Sequence, residues 1–324
     1  MNIPYIDNSF MDGHTEFADL IALLESGFSE NKMHIPKRHH HDYKNPLEDT
    51  DSTLLLMPAF DPGKDLGVKI VSVNPNNNSY DQPTIQGIYL YLDGHIGRPK
   101  ALLDARALTA KRTAAASALA AKKLARDESN KLLIIGTGVL APELIRAHSA
   151  IRPIKQVFVW GRNFEKAQKI CREFEKATVE VLPIEDYLSV IGTVDIISCA
   201  TLSSTPLVFG KDLSPGQHVD LVGAYKPDMR EADDEVIRRA TIYLDTFQSG
   251  LHESGDICIP IKNGLIKEKD IAGDFYDLCK TGEMARKHED EITLFKSVGH
   301  ASEDLVGARY YYERFKDSND QNPS

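Results

Sequence analysis

The chain has 324 residues, 42% hydrophobic and 27% charged, an ordinary balance for a globular protein large enough for one or two covered cores. Its 48 acidic and 38 basic residues give a formal net charge of −10, and the basic pairs Lys122-Lys123 and Arg238-Arg239 stand alone, so nucleic acid is excluded as a main partner. Cys171, Cys199, Cys258 and Cys279 form no C-x-x-C, the N-terminus lacks the basic and apolar regions of a secretion signal, and no apolar run approaches the ~20 residues of a membrane span, so a cytoplasmic protein off the membrane is expected.

Phe17, Leu20, Ile21 and Leu24 recur at helical spacing and predict an early amphipathic helix. The polar stretch that follows, with Pro36 and Pro46, reads as loop. Apolar runs at 54–60, 68–73, 85–92 and 101–103, each bounded by Pro, Gly, Asn or Asp, predict consecutive strands in a mostly antiparallel or mixed sheet. From 108 to 126 the chain is rich in Ala, Lys, Leu and Arg and free of Gly and Pro, which predicts a long helix. Strands at 131–135, 156–160, 179–182, 194–200, 218–222 and 242–245 then alternate with helices at 139–150, 164–176 and near 185–190. That alternation is the mark of a parallel sheet built from βαβ units, so the fold class is α/β. A last helix over about 300–315 carries Leu305, Val306, Ala308, Tyr310 and Tyr311 and is expected to return to the first domain, while the polar tail 317–324 is expected to be disordered.

The strongest local signal is Lys131-Leu-Leu-Ile-Ile-Gly136-Thr137-Gly138-Val139-Leu140-Ala141, a G-x-G-x-x-A at a strand-to-helix junction. Gly136 permits the tight turn, Gly138 lets backbone approach a pyrophosphate, Ala141 keeps the helix close to the strand, and the helix N-terminus faces the phosphates. A tight structural turn is the alternative; the βαβ series that the loop opens favours a dinucleotide. The next strand ends Trp160-Gly161-Arg162-Asn163, with no acid where NAD-specific enzymes hold the ribose. Arg162 suits the extra phosphate of NADPH, which is expected ahead of NADH; the alternative is that Arg162 caps a solvated turn.

Several motifs occur together: Gly67-Val-Lys69-Ile, Pro83-Thr84, Leu103-Asp-Ala-Arg-Ala-Leu-Thr-Ala-Lys-Arg112-Thr113, the glycine loop, Val222-Gly-Ala-Tyr225-Lys-Pro-Asp-Met-Arg-Glu231, and Phe295-Lys-Ser-Val-Gly299 followed by Glu303-Asp304. In this order and spacing the chain resembles the ornithine cyclodeaminase/mu-crystallin family of NAD(P)-dependent enzymes along nearly its whole length. Arg38-His-His-His with Leu54-Leu-Leu-Met-Pro-Ala is most similar to that family's bacterial 1-pyrroline-2-carboxylate reductases. The resemblance implies a homodimer with a Rossmann NAD(P)-binding domain over 114–299. A discontinuous N-terminal α+β domain for substrate and dimerisation would span 1–113 and be completed by 300–324. It implies a substrate with an α-carboxylate beside an imine or amine, held by Lys69 and Arg112 with Arg38 as a third contact. It also implies cofactor contacts from Thr84, Thr113, Gly136, Thr137, Gly138, Val139, Leu140, Thr201, Ser297 and Val298, to which the strand tip adds Arg162 and Asn163.

The physical reading is compatible. A carboxylate buried beside a nicotinamide needs a compensating charge, and Arg can grip it with two parallel hydrogen bonds. Lys69 lies in an apolar strand, where it either points to solvent or is buried against a partner, and the resemblance favours the second. Arg112 taken alone is one more exposed helix arginine. Tyr225 departs from the family pattern, because cyclodeaminases and alanine dehydrogenases carry an Asp there for the substrate amine; Leu140 stands where many members have Gln. The first departure turns the expectation from an ornithine cyclodeaminase or amino-acid dehydrogenase towards reduction of a ready-made cyclic imine. 1-Pyrroline-2-carboxylate would give L-proline, and 1-piperideine-2-carboxylate L-pipecolate, with Lys69 or a water as proton source. The alternative from another class is a non-catalytic, NADPH-dependent binder of the crystallin kind. His39, His40 and His41 point in different directions on any regular element and nothing completes a metal site, so no metal is expected. Asp61, Asp65 and Asp93 read as turn residues without a catalytic role.

Overall fold

The computed structural model describes residues 3–321. In chain order the elements are β1 (Tyr5–Ile6), α1 (Asn8–Gly13), α2 (Phe17–Glu30), β2 (His39–Tyr43), β3 (Ser52–Asp61), β4 (Asp65–Val73), β5 (Ile85–Asp93), β6 (Pro99–Asp104) and α3 (Ala105–Leu124). They continue with β7 (Lys131–Ile135), α4 (Leu140–Ile151), β8 (Gln156–Trp160), α5 (Phe164–Arg172), β9 (Glu180–Pro183), α6 (Leu188–Ile191), β10 (Ile196–Cys199) and β11 (His218–Leu221). Last come α7 (Asp234–Arg239), β12 (Ala240–Leu244), α8 (Phe247–Glu253), α9 (Gly255–Lys262), α10 (Phe275–Lys280), β13 (Ile292–Lys296) and α11 (Ala301–Gln321).

By its internal contacts the chain divides into two units, one of residues 1–16, 30–112 and 301–324, the other of 17–29 and 113–300. The sequence reading keeps the early helix with the first domain, whereas here residues 17–29 go with the second unit. There Phe28 packs against Phe275 with ring centroids 4.8 Å apart and planes tilted by 36°, and Glu25 pairs with Lys123 at 2.6 Å. An amphipathic pattern reports that a face is buried, not against what.

The first unit holds a six-stranded mixed sheet in the order β1-β6-β5-β4-β3-β2, antiparallel except where β1 joins β6. The alternation of side chains gives it two distinct faces. One face is covered by α11 and buries Met57, Ala59, Lys69, Tyr89 and Tyr91. The other presents rows such as Leu56–Ile70–Ile88 and Pro58–Val68–Leu90, all half-buried or exposed. Arg309 pins α11 to the covered face, donating to Asp65 from Nε at 2.6 Å and to Asp61 from Nη2 at 2.8 Å, while the Tyr91 hydroxyl donates to Asp65 at 2.7 Å. Asp65 is therefore a buried structural anion rather than a turn residue, while Asp93 caps its turn by accepting from the His95 and Ile96 amides.

Two expectations in this unit are corrected. The polar stretch after α2 contains β2, whose five exposed residues pair antiparallel with β3, His41 opposite Leu54. Backbone pairing at a sheet edge needs no apolar alternation, and His and Asp on that edge discourage further strands. The polar tail continues α11 as far as Gln321, and Asn322, Pro323 and Ser324 lie outside the described residues.

The second unit is a seven-stranded parallel sheet in the order β12-β13-β11-β10-β7-β8-β9. The order reverses between β7 and β10, the switch point of a doubly wound sheet. Leu132, Leu133, Ile134 and Ile135 are fully buried, as continuous apolar runs in a two-sided parallel sheet must be. The sequence reading lacks β13, because Phe295-Lys-Ser-Val-Gly299 registers there as a motif and its strand pattern goes unread.

Candidate active site

Two sets of groups stand out, one in each unit. In the first, Lys69 sits on the covered face of β4 and is only 4% exposed, which removes the solvent-facing reading. Its Nζ donates to Asp304 Oδ1 at 3.0 Å and to Thr109 Oγ1 at 3.3 Å. Arg112, on α3 and equally buried, donates from Nε to Asp304 Oδ1 at 2.8 Å and from Nη1 to Glu303 Oε2 at 2.5 Å. Glu303 and Asp304 are wholly buried in the first turn of α11, where the helix dipole favours negative charge. Arg38, half-buried just before β2, adds to the positive field on Lys69. The three basic residues expected to bind substrate thus share one neighbourhood of one unit.

Burial lowers the Lys69 pKa to about 8; Asp304 opposes that fall, and Arg112 and Arg38 reinforce it. For Asp304, burial alone acts upward, but Arg112 and Lys69 hold the carboxyl below its ordinary value. Tyr89, opposite Lys69 in register, is buried with its hydroxyl against Gly67, so that a Cβ on Gly67 would collide with it. From sequence alone Glu303 and Asp304 carry no role beyond their place in a motif. The signal for them is two adjacent carboxylates opening a helix whose next residues, Leu305 and Val306, are apolar.

In the second unit, the Gly136 amide donates to the Trp160 carbonyl at 2.8 Å, and its φ of +128° suits only glycine. A Cβ there would stand 2.5 Å from the Ala200 carbonyl oxygen. Gly138 contrasts with it: a Cβ would meet nothing within 4 Å, so the chain's own packing does not demand glycine. Open space above a glycine at the N-terminus of α4 fits a phosphate group approaching the backbone. Ala141 is buried beneath the loop, and the Thr137 side chain covers Gly161. Arg162 is exposed at the tip of β8, while Asn163 caps α5 by accepting from the Lys166 amide at 3.1 Å. Val139 is exposed and Leu140 half-buried at the start of α4.

The loops after β10 and β11 are fastened to one carboxylate. Glu231 Oε1 accepts from the Thr201 amide at 2.6 Å and hydroxyl at 2.9 Å, and Oε2 from the Gly223 and Ala224 amides at 2.8 and 3.1 Å. Burial raises the Glu231 carboxyl, and the Lys296 ammonium works against that rise. Ser297 donates its amide to the Leu221 carbonyl, and Asp245 accepts from the Val298 and Gly299 amides at 2.7 Å. Thr113 is buried on α3; Thr84, in the first unit, is half-buried and accepts the Asn74 amide on its carbonyl. Tyr225 lies in the loop after β11, about a third exposed, with the Lys226 ammonium 5.8 Å from its ring centre. His39 and His41 stand 6.0 Å apart on β2, and among the described residues no group of three or more His, Cys, Asp or Glu is arranged to hold a metal.

A glycine loop at the switch point of a doubly wound parallel sheet, in a chain whose other unit buries a pair of carboxylate-gripping cations, defines an NAD(P)-dependent oxidoreductase of the Rossmann type. The chain belongs to the ornithine cyclodeaminase/mu-crystallin family, whose profile matches residues 8–319. It is 39% identical over 259 residues to a Delta(1)-pyrroline-2-carboxylate reductase of Paracoccus denitrificans, covering 80% of this chain and 82% of the relative. A reductase of the same name from Colwellia psychrerythraea is 36% identical over 304 residues, covering 93% of this chain and 96% of the relative. Among solved structures, Delta(1)-pyrroline-2-carboxylate reductase of Thermococcus litoralis, in complex with NADH and L-proline, superposes with a TM-score of 0.90 at 32% identity and 98% coverage of both chains.

Proposed function

We propose that this protein reduces cyclic imino acids with NADPH, turning 1-pyrroline-2-carboxylate into L-proline and its six-membered homologue 1-piperideine-2-carboxylate into L-pipecolate. The observation that carries this reading is the buried convergence of Lys69 and Arg112 on Asp304, with Arg38 adjacent, in a chain whose relatives bear this activity in their names. The dinucleotide supplies the hydride. Arg112 Nη2, which donates to no acceptor among the described residues, grips the substrate carboxylate, and Lys69 and Arg38 complete the charge around it. Lys69 Nζ gives a proton to the imine nitrogen as the hydride reaches the imine carbon. One C–H and one N–H bond form, the C=N π bond is lost, and the neutral lysine regains its proton from solvent. A lysine with a pKa of about 8 is matched to that task near neutral pH. Thr84, Thr113, Thr201, the glycine loop and Ser297-Val298 hold the cofactor, and the exposed Arg162 at the strand tip takes the extra phosphate of NADPH.

Tyr225, where related cyclodeaminases carry a carboxylate, favours a ready-made imine over an amine that must first be oxidised and lose ammonia. The test follows NADPH absorbance with each imine present. Turnover of both rings is expected, faster with NADPH than NADH, with Arg162→Asp weakening NADPH selectively and no ammonia released from L-ornithine and NAD⁺. Comparable ammonia release marks a cyclodeaminase. NADPH binding without oxidation marks a binder of the crystallin kind.

The half-exposed face of the six-stranded sheet supports the second part of the proposal, a homodimer. Rows of Leu56, Ile70, Ile88, Val68 and Leu90 form an apolar area of a kind that monomers rarely leave in water. A sedimentation mass twice that of the chain is expected, halved by Ile70→Asp; a monomer at micromolar concentration would sink the idea. All four cysteines are free thiols, three of them buried, which supports a reducing cytoplasm as its location.

A further inference from the structure

We infer that Asp304 is a positioning residue of this reaction, its carboxylate holding the Lys69 ammonium and the Arg112 guanidinium on one shared oxygen so that the clamp keeps its aim and Lys69 keeps its proton. The inference rests on the reductase reading above and adds to it a residue that acts through Lys69 and Arg112. Oδ1 accepts from both Lys69 Nζ at 3.0 Å and Arg112 Nε at 2.8 Å, and Oδ2 lies 2.8 Å from the same Nζ. Two buried cations cannot stay this close without a shared anion, because each loses its water and repels the other. The approach of α11 is built for the contact: at Gly307, one turn beyond Asp304, a Cβ would stand 2.9 Å from Leu108 Cδ1 and 3.5 Å from Arg112 Cβ.

The charged and titratable groups around Lys69 come from every element packed on it. Asp304 comes from α11, with Glu303 reaching it through Arg112; Arg112 comes from α3, Arg38 from the segment before β2, and Tyr89 from β5. Burial, Arg112 and Arg38 all disfavour the ammonium, and Asp304 is the group that favours it. Lys69 donates a proton only while charged, so activity falls as pH rises through its pKa, and without Asp304 that fall begins at lower pH.

The experiment is the pH profile of kcat/KM for 1-pyrroline-2-carboxylate in the full chain and in Asp304→Asn, which keeps the shape and removes the charge. The alkaline limb is expected to move down by about one unit or more, and activity at pH 8 to fall about fivefold or more, with NADPH affinity by fluorescence within about twofold of the unmodified protein. A merely structural Asp304 would scale the rate equally at every pH, and a limb left in place overturns the inference. Should Asp304→Asn fail to fold, Asp304→Glu decides: it retains the charge, so the limb should stay while KM rises, and a limb displaced downward overturns the inference. Failure of the reductase reading looks different, since the unmodified protein then shows no imine-dependent NADPH oxidation at any pH. In that event ¹⁵N-lysine NMR reads Lys69 directly, and Asp304→Asn must still lower its titration midpoint or the inference falls.

Discussion

Replacing Arg112 with alanine is expected to lower kcat/KM for the cyclic imine by about ten- to a hundredfold, since a charge-assisted contact to a carboxylate contributes roughly 1.5–3 kcal/mol. The structure adds a second effect. Arg112 lies against Glu303 and Asp304, both wholly buried, and its removal deprives two acids of a buried counter-charge. Breaking a buried pair from one side costs about 3–5 kcal/mol, so the melting temperature should fall alongside the activity. The two effects separate in the kinetics. KM for NADPH should hold in the folded fraction, because the glycine loop belongs to the other unit, while KM for the imine rises. Arg112→Lys should rescue poorly, because an ammonium cannot replace a guanidinium that donates from Nε and Nη1 to two different acids and still has Nη2 to offer. Near-normal efficiency in Arg112→Ala would remove the clamp from the proposed mechanism.

Two glycines two residues apart should fail in opposite ways. Gly136→Ala meets both a φ of +128° and an oxygen 2.5 Å away, so it should destabilise the second unit by about 1–3 kcal/mol, as residues forced into sparsely populated backbone regions do, and weaken NADPH more than tenfold by displacing the loop. Gly138→Ala meets nothing within 4 Å. Its melting temperature without NADPH should match that of the unmodified protein, while NADPH affinity falls and the thermal shift on adding NADPH shrinks. Melting curves with and without cofactor check both at once. If Gly138→Ala melted early without cofactor, or bound NADPH normally, the space above that glycine would not be the phosphate cradle.

Most of the fold was legible in the sequence because it rests on local pattern. The second unit's strands at Lys131–Ile135 and Gln156–Trp160 are apolar runs bounded by turn residues, and periodicity reports them to the residue. The edge strand His39–Tyr43 was not legible, since its side chains are all exposed and only backbone pairing makes it a strand. The strand Ile292–Lys296 escaped for another reason: its end registers as part of a motif, and it closes on a fully buried lysine whose counter-charges, Asp256 at 3.1 Å and Glu231 at 3.7 Å, come from distant parts of the chain. At the candidate site, the basic residues were found by resemblance to motifs, whereas their burial follows from pairing with acids near the far end of the sequence. No local pattern announces a partner 235 residues away. The family profile and the reductases to which this chain is similar support the function read from those motifs.

The pairing of Lys69 with Asp304 also has a consequence in time. During synthesis β4 leaves the ribosome long before the helix that neutralises its lysine exists, and the intervening chain includes every strand of the second unit. Until α11 is made and docks, the covered face of the first sheet carries an uncompensated ammonium that holds on to water, together with Tyr89, Tyr91 and Asp65 awaiting Arg309. The nucleotide-binding unit, whose strands are encoded without interruption, can fold while the first sheet is still waiting. The first sheet is therefore made early and completed only by the last helix of the chain, and the clamp cannot assemble before translation has passed residue 304.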